Sequence, residues 1–350
     1  MAPSVPANVG LPLPKGFDDM RHLTCALLTL ALAACARPAT QAQDTDTAAE
    51  SRPAATAPAS SLAAGERRIK MSDGAEIYLK VAGKGPVCML VHGGPGQGSL
   101  STEKMGADKL EDFLTLVYVD QRGSGKSPDT QNYHLDRVVQ DFEEVRQALG
   151  VDKICLIAHS FGGILAVDYA RRYPQHVSEL VLANISLHFR SPENARMQID
   201  FVNRLLGKKA IVVADDADAA ALAKARDEAR AALMKSGQGY RFLSEKTDSI
   251  RVMSEIDDYE RSMGYGTAVI TQAADYPEYE IDYAPVTAGI AQPVLVITGS
   301  KDYAVGPDEY KRFHFPDQKT VILDGGHISY YENNAEFIAA VRDFMASHPQ

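Results

Sequence analysis

An apolar stretch near the middle of the chain runs Lys153-Ile154-Cys155-Leu156-Ile157-Ala158-His159-Ser160-Phe161-Gly162-Gly163. It ends on a serine and continues into a helical pattern with glycines at the bend, which predicts a buried strand, a tight turn and a helix that begins at Phe161. A serine at such a turn exposes its hydroxyl above a sheet edge, and the next backbone N–H can face an oxyanion. The alternative is that Ser160 only caps the helix.

The rest of the chain supplies a larger sheet. Residues 66–71 and 76–81 alternate between apolar and polar side chains across a Ser72-Asp73-Gly74 turn, which is typical of an antiparallel hairpin. Later strands are apolar on both faces, as in a parallel sheet covered by helices. These strands lie at 86–91, 114–119, 154–158, 180–183, 294–297 and 321–323. Helical patterns alternate with them at 101–112, 135–149, 162–173, 307–313 and 332–345.

This order predicts an α/β fold with a mostly parallel, doubly wound sheet and an antiparallel N-terminal edge. Residues 65–186 and 287–350 form the predicted core. Residues 187–286 form a predicted helical cap, because this insertion has no strong strand pattern and contains an alanine-rich charged run at 214–234. Ligands of doubly wound sheets bind beyond the carboxyl ends of the strands, and we expect the cap to cover that edge.

The N-terminus predicts export. Residues 1–35 contain a positive start at Met20-Arg21, a short apolar run and Leu32-Ala33-Ala34-Cys35, which resembles a bacterial lipoprotein box. Residues 1–19 fit neither a signal nor a fold, and we expect translation to begin at Met20. The sequence therefore predicts a protein exported from a bacterial cytoplasm to the periplasm and tethered to the membrane through lipidated Cys35. The alternative is a plain cleaved signal. Residues 36–64 are predicted to be a disordered linker.

Composition limits the partners. The 350 residues are 45% hydrophobic with a formal net charge of −10, and the absence of a clustered basic patch argues against binding to nucleic acid. Cys88 and Cys155 each lie inside an apolar strand and are expected to be buried free thiols, with a disulfide between them as the alternative. No cysteine or histidine spacing typical of a metal site is present.

Two glycine-containing loops follow neighbouring strands. His92-Gly93-Gly94-Pro95-Gly96 follows the third strand and Asp120-Gln121-Arg122-Gly123-Ser124-Gly125-Lys126-Ser127 follows the fourth. Glycines let backbone amides approach a ligand closely, so the N–H of Gly94, together with that of Phe161, is predicted to form an oxyanion hole. The alternative, that the glycines only turn the chain, is less favoured because two such loops flank the serine strand.

A serine nucleophile needs a base, and the base needs an orienting carboxylate. Among the nine histidines, His327 directly follows the last predicted strand, and Asp302 follows the strand before it. Asp324 is the rival acid, but its closeness to His327 along the chain favours a role in the turn. The order serine, acid, histidine suits a strand–turn–helix nucleophile, so Ser160, Asp302 and His327 are the predicted catalytic residues.

Taken together, these motifs resemble the α/β-hydrolase fold and, within it, the proline iminopeptidase-like family over residues 66–350. The resemblance is carried by His92-Gly93-Gly94-Pro95-Gly96, Asp120-Gln121-Arg122-Gly123-Ser124-Gly125-Lys126-Ser127-Pro128, the serine turn, Asp302 and His327. It implies removal of an N-terminal residue, often proline, or related amide and ester cleavage, without a cofactor. The implied partner is a small peptide, amide or ester substrate.

Two positions depart from the family pattern. Ala158 stands where G-x-S-x-G has its first glycine, and Tyr303 stands where some family members place a carboxylate that helps to hold the substrate amine. If an amine is bound, the predicted ligands are Glu245, Glu255 and Glu260 of the cap, each of which is otherwise read as part of a solvated helix face. The alternative functions are a carboxylesterase of small esters and a noncatalytic binding protein on the same fold.

Overall fold

The computed structural model describes residues 62–189, 191–207, 211–266, 269 and 276–348. The predicted signal, Cys35 and nearly all of the predicted linker lie outside the described residues. The strands are β1 Gly65–Lys70, β2 Glu76–Gly83, β3 Val87–Val91, β4 Thr115–Val119, β5 Ile154–His159, β6 Val177–Ala183, β7 Val294–Gly299 and β8 Gln318–Leu323. They form one eight-stranded sheet in the order β1-β2-β4-β3-β5-β6-β7-β8.

The direction of the strands matches the predicted fold class. β1 and β2 are an antiparallel hairpin, and β2 pairs antiparallel with β4. From β4 to β8 every pairing is parallel. The prediction of a mostly parallel sheet with an antiparallel N-terminal edge is confirmed. Consequently the carboxyl ends of β3 to β8 lie at a single edge of the sheet.

In the described residues, helices follow β3, β4, β5, β6 and β8 along the chain. They are α1 Leu100–Lys104, α2 Leu135–Leu149, α3 Gly162–Arg172, α4 Pro192–Leu205, α5 Ala219–Lys235, α6 Thr247–Ser262, α7 Ser329–Glu332 and α8 Asn334–Ser347. Two predictions of helix extent were wrong. The pattern at 101–112 is divided at Gly106, whose φ of 105° an α-helix does not allow, and the pattern at 307–313 forms only a 3-10 turn at Glu309–Arg312.

Both faces of the sheet are buried, which explains the unbroken apolar runs. Along β5, Leu156 and Ala158 face one core cluster, which includes side chains of α2 and α3. Cys155 and Ile157 face the opposite cluster, which includes side chains of α8. Successive strand residues point to opposite faces, so a strand between two helical layers must be apolar throughout. This burial fixes the strand ends that carry the site.

The segment 187–286 contains α4, α5 and α6, and described residues of this segment contact loops at the carboxyl edge of the sheet. Asn194 Nδ2 donates to Val305 O at 2.9 Å, beyond β7. Gly266 N donates to Gly125 O at 2.8 Å, in the loop after β4. None of the helices in the described ranges combines the length and apolarity that crossing a membrane requires.

Candidate active site

Ser160 occupies the sharp turn between β5 and α3. Its φ is 52°, in the left-handed region that side chains other than glycine rarely adopt. Its backbone N donates to Ala183 O at 3.2 Å, and its carbonyl accepts from Gly163 N at 3.0 Å. Because the surrounding bonds hold this costly conformation, the turn points the hydroxyl in one fixed direction. Only 7% of the Ser160 surface is exposed.

The replacement of glycine by Ala158 has a structural explanation. Ala158 is a regular strand residue that pairs with Val91 on one side and with Leu182 on the other. An alanine is acceptable there because the strand needs no positive φ at this position. Glycine is needed instead at Gly93, where an added Cβ would lie 2.9 Å from Ser160 Cβ. The loop after β3 therefore packs directly on the serine.

The structure brings the three predicted catalytic residues together. His327 Nε2 lies 2.9 Å from Ser160 Oγ, and His327 Nδ1 lies 2.9 Å from Asp302 Oδ2. The rival acid, Asp324, is exposed and forms an ion pair with Lys301 at 2.8 Å. The hydroxyl, the imidazole and the carboxylate thus form one continuous chain of hydrogen bonds, as general-base activation of a serine requires.

Asp302 is completely buried, and four donors surround its carboxylate. Oδ2 accepts from His327 and, at 2.8 Å, from Asn184 Nδ2. Oδ1 accepts from Ala304 N at 3.0 Å and from Val305 N at 3.1 Å. Burial by itself raises the pKa of this carboxyl, but the neighbouring imidazole and these hydrogen bonds outweigh it and hold the pKa below its ordinary value. The acid therefore stays ionised beside the histidine.

Asn184 is a residue that sequence reasoning missed. It follows β6, is buried and has a φ of 49°. Besides its bond to Asp302, Nδ2 donates to Gly326 O at 3.2 Å, and Oδ1 accepts from Ser329 Oγ. Its backbone N donates to Ile297 O at 2.8 Å. One amide thus connects the ends of β6, β7 and β8; a polar residue directly after an apolar strand was the only sequence signal.

His159, next to the serine, supports the base. Its Nε2 donates to the backbone carbonyl of His327 at 2.9 Å, and its ring packs against Tyr330 with 4.9 Å between centroids. Burial, together with the adjacent His327, lowers the pKa of His159 to about 3. His159 consequently remains neutral at ordinary pH and acts as a fixed donor to the histidine loop.

The predicted oxyanion donors flank the serine. Phe161 directly follows Ser160 at the N-terminal end of α3, where backbone N–H groups point outward. Gly94 lies in the loop that packs on the serine and has a φ of 118°. His92 fixes this loop: its Nδ1 donates to Gly93 O at 2.8 Å, and its Nε2 accepts from Gln121 N at 3.1 Å. Both residues therefore lie in segments that adjoin Ser160, as the predicted oxyanion hole requires.

The loop after β4 is held in place by hydrogen bonds within it and to neighbouring segments. Asp120 Oδ1 accepts from Ser99 N and Ser99 Oγ, both at 2.7 Å, and Oδ2 accepts from Lys126 N at 2.8 Å. Arg122 is almost wholly buried and binds Asp141 through Nε at 2.6 Å and Nη2 at 2.7 Å. These bonds therefore fix the loop after β4 against the segment after β3 and against α2.

The three predicted amine ligands differ in burial. Glu245 is exposed and pairs with Arg241 at 3.5 Å. Glu255 is exposed and pairs with Arg251 at 2.7 Å. Surface pairs of this kind contribute little to stability, and these two carboxylates already have cationic partners. Glu245 does not line the cavity that contains Glu260, whereas the exposed Glu255 does.

Glu260 is buried to 9% exposure, and its Oε1 has no hydrogen-bond partner within the described ranges. Burial, reinforced by the charges of Asp120 and Asp257, raises its pKa to about 8. Glu260 lines a cavity of about 500 Å³ between α6 and the core. A Cβ on Gly98, four residues beyond Gly94, would lie 3.2 Å from Glu260 Oε1. Asp257, also half-buried, is a second acidic group that the sequence did not single out as a ligand.

The described ranges contain no group of three or more His, Cys, Asp or Glu side chains that could hold a metal ion.

Comparison with known proteins supports the fold assignment. The family model described as the alpha/beta hydrolase fold matches residues 86–334, well over half of the chain. The chain belongs to this family.

Part of the chain is similar to curated proline iminopeptidases. A proline iminopeptidase of Saccharolobus solfataricus is 36% identical over 126 residues, which cover 34% of this chain and 40% of that protein. The resemblance to proline iminopeptidases is thereby confirmed, although the chain spans less than half the length of this curated relative.

Solved structures show the same fold over most of the chain. A proline iminopeptidase-related protein of Thermus thermophilus has a TM-score of 0.64 at 22% identity and covers 81% of this chain and 98% of its own. An esterase of Exiguobacterium antarcticum has a TM-score of 0.59 at 18% identity, with 80% and 98% covered. At these identities the similarity establishes the architecture alone.

Proposed function

We propose that this chain is a serine hydrolase that cleaves an amide or ester bond through an acyl-enzyme, and that its main activity is release of an N-terminal residue such as proline. One observation carries the proposal: His327 lies within hydrogen-bond distance of both Ser160 Oγ and Asp302 Oδ2, at 2.9 Å in each case. The similarity to proline iminopeptidases supports the peptidase assignment.

The proposed reaction has two halves. His327 Nε2 takes the proton from Ser160 as Oγ attacks the substrate carbonyl carbon, and the amides of Gly94 and Phe161 bind the resulting oxyanion. The imidazolium, stabilised by Asp302, gives its proton to the leaving amine or alkoxide as the C–N or C–O bond breaks. Water then attacks the acyl-enzyme, His327 accepts its proton, and Ser160 recovers that proton as the acid leaves.

The test is turnover of prolyl and alanyl arylamides by the wild type and by Ser160→Ala. We expect at least about a 1,000-fold loss of kcat/KM in the variant. Ser262→Ala is the matched control, because Ser262 is exposed and donates only to Tyr259 O on its own helix. Retention of wild-type turnover by Ser160→Ala would refute the proposal.

Glu260 is the proposed ligand of the substrate amine. An ammonium group entering the cavity would supply the countercharge that this buried, unpaired carboxyl lacks. Glu260→Gln should therefore raise KM for aminoacyl arylamides about 10-fold or more and leave acetyl esters unaffected. Glu245→Gln is the control, because Glu245 is exposed. Equal KM changes for both substrate classes would count against an amine site.

Carboxylesterase activity is the second candidate, because esterases are among the proteins that share this fold. Ser160 can attack the carbonyl carbon of an amide or of an ester, and the leaving group determines which substrate is preferred. A panel of aminoacyl arylamides and short p-nitrophenyl esters separates the two activities: an esterase turns over the esters with little activity on prolyl or alanyl arylamides. A noncatalytic binding protein, the third candidate, would react with neither substrate class and would not be labelled by a serine-directed phosphonate.

We further propose export to the periplasm with a lipid anchor at Cys35, on the strength of the pattern from Met20 to Cys35. Expression of the full chain in a bacterium should yield a membrane-associated product whose N-terminal peptide begins at acylated Cys35. Cys35→Ser should abolish the acylation. An unmodified N-terminal peptide in the soluble fraction would contradict the anchor.

A further inference from the structure

Two arginines stand one turn apart on the cap helix α5. Arg226 and Arg230 are at positions i and i+4, so their side chains leave the same flank of the helix. This flank adjoins the line of Ala225 and Ala229, which are buried in the core of the cap. Arg226 is half-buried and Arg230 is exposed, so a small ligand can reach both guanidinium groups. The surrounding protein and the adjacent charge of Arg226 lower the pKa of Arg230.

Among the described residues, the guanidinium of Arg230 has one hydrogen-bond acceptor. One nitrogen donates to Gln198 Oε1 at 3.3 Å, and its guanidinium lies 5.3 Å from the centre of the Phe242 ring. Among the residues that the structure describes, no carboxylate forms an ion pair with Arg230. The nearby Asp227 is engaged by Arg226 at 2.9 Å and is otherwise exposed. A guanidinium has five N–H donors, so Arg230 can bind a further anion while it keeps these contacts.

Both contacts of Arg230 lead to the candidate active site. Phe242 precedes Leu243, whose carbonyl accepts the backbone N–H of His327 at 2.7 Å. Gln198 Nε2 donates to Ala304 O at 2.7 Å, and Ala304 N donates to the carboxylate of Asp302 at 3.0 Å. Arg230 is thus connected to His327 through Phe242 and Leu243. It is connected to Asp302 through Gln198 and Ala304.

Arg226 reaches the opposite side of the nucleophile. Its Nη1 donates to Phe189 O at 3.4 Å, and the Phe189 ring packs on the Phe161 ring with centroids 5.7 Å apart. Phe161 directly follows Ser160. The two arginines therefore contact residues that adjoin the acid loop, the histidine loop and the beginning of α3.

We propose that Arg230, assisted by Arg226, forms a carboxylate-binding subsite that receives an anionic group on the substrate of the Ser160 reaction. The inference rests on the proposed function and names the substrate class: compounds with a free carboxylate on the leaving-group side of the scissile bond, of which dipeptides are the simplest. A planar guanidinium pairs with a carboxylate through two parallel hydrogen bonds, and a second adjacent cation strengthens that attraction.

The kinetic test compares substrates that differ only in the carboxylate. Wild-type protein is assayed with Pro-Gly, Pro-Gly amide and proline p-nitroanilide. We expect KM for Pro-Gly to be about 10-fold lower than for its amide, and Arg230→Met to reduce this ratio to about 2-fold or less while the amide and the anilide are unaffected. Arg251→Met is the matched control, since Arg251 lies in an exposed ion-pair network of α6 and should preserve the ratio.

A second arm asks on which side of the bond the carboxylate lies. The p-nitrophenyl esters of butyrate and of monoanionic glutarate place it on the acyl group. A preference for the glutaryl ester that Arg230→Met abolishes, with no preference for Pro-Gly, would assign the carboxylate to the acyl side and overturn the dipeptide class. Equal KM within each pair for the wild type would overturn the subsite altogether.

Binding separates failure of this inference from failure of the proposed function. Ser160→Ala protein is titrated calorimetrically with Pro-Gly and with Pro-Gly amide, a measurement that needs no turnover. Tighter binding of Pro-Gly by about 10-fold, lost when Arg230→Met is added, supports the subsite even if another substrate class is hydrolysed. Equal dissociation constants contradict the subsite whether or not the wild type is active.

Discussion

Asn184 donates from Nδ2 to Asp302 Oδ2 at 2.8 Å, the same carboxylate oxygen that accepts from His327 Nδ1. The amide and the imidazole therefore share one carboxylate oxygen, and the amide helps to hold the acid in place. Asn184 holds a φ of 49°, a conformation that asparagine tolerates better than most residues. The position of the acid is determined by a contact between the ends of β6 and β7, before any substrate arrives.

Asn184→Gly keeps the backbone conformation and removes the amide. We expect kcat/KM to fall about 10- to 100-fold through misplacement of Asp302, and the melting temperature to fall as well, because the buried partners of the amide lose a hydrogen bond. Asn184→Asp should in addition move the acid limb of the pH–rate profile to higher pH, because a second carboxylate would favour the charged histidine. Profiles that coincide with the wild type for both variants would exclude this positioning role.

Close packing between α3 and the end of β3 requires a glycine at Gly162. An added Cβ would collide with the backbone carbonyl of Val91 at the end of β3. Gly162→Ala should therefore lower the free energy of unfolding by about 1–3 kcal/mol, measured by denaturant titration. Gly289→Ala is the control, since an added Cβ there meets nothing within 4 Å. Equal stability of the two variants would mean that the strand–helix junction is looser than described.

Glu260 should make folding stability depend on pH. Its pKa is raised from the ordinary 4.5 to about 8, so the folded state holds this proton more tightly than the unfolded state. The contribution is complete below about pH 4.5 and is lost as the pH rises through 8. We expect Glu260→Gln to match the wild type at pH 5 and to exceed its free energy of unfolding by about 1–3 kcal/mol at pH 9.

The control for that measurement is Glu255→Gln, which removes an exposed carboxylate from the same helix. Its stability should follow the wild-type dependence on pH. A difference between wild type and Glu260→Gln that is constant from pH 5 to 9 would show that Glu260 does not titrate in this range.

Cys88 and Cys155 are neighbours across β3 and β5, and both are fully buried as free thiols. Burial, with the adjacent Cys88, raises the pKa of Cys155 well above its ordinary value, which suppresses the reactive thiolate. Iodoacetamide should leave both residues unmodified in the native protein and alkylate both after unfolding in guanidinium. Peptide mass spectrometry distinguishes this from a disulfide, which would resist alkylation until it is reduced.

Much of the fold could be predicted because its signals are local. Apolar runs report strands buried on both faces, and the serine turn reports its own bend. The chain order of Ser160, Asp302 and His327 sufficed to select the three residues that the structure brings together, because each lies within four residues of the end of a strand of one sheet.

What the sequence could not provide depends on contacts between distant segments. Asn184 and Asp302 are 118 residues apart, and nothing local to Asn184 predicts that bond. Glu255 and Glu260 lie on one helix and looked equivalent, yet five positions place them about 140° apart around the axis. Glu255 is exposed and Glu260 is buried, although both side chains line the same cavity. Which face of a cap helix is turned toward the core is decided by tertiary packing.

The most direct measurement is the site and rate of labelling by a serine-directed fluorophosphonate, followed by peptide mass spectrometry. The wild type should be modified stoichiometrically at Ser160, and His327→Ala should react at least about 100-fold more slowly, because the base that activates the hydroxyl is gone. An unmodified Ser160, or equal labelling rates in the two proteins, would contradict a nucleophile activated by this histidine.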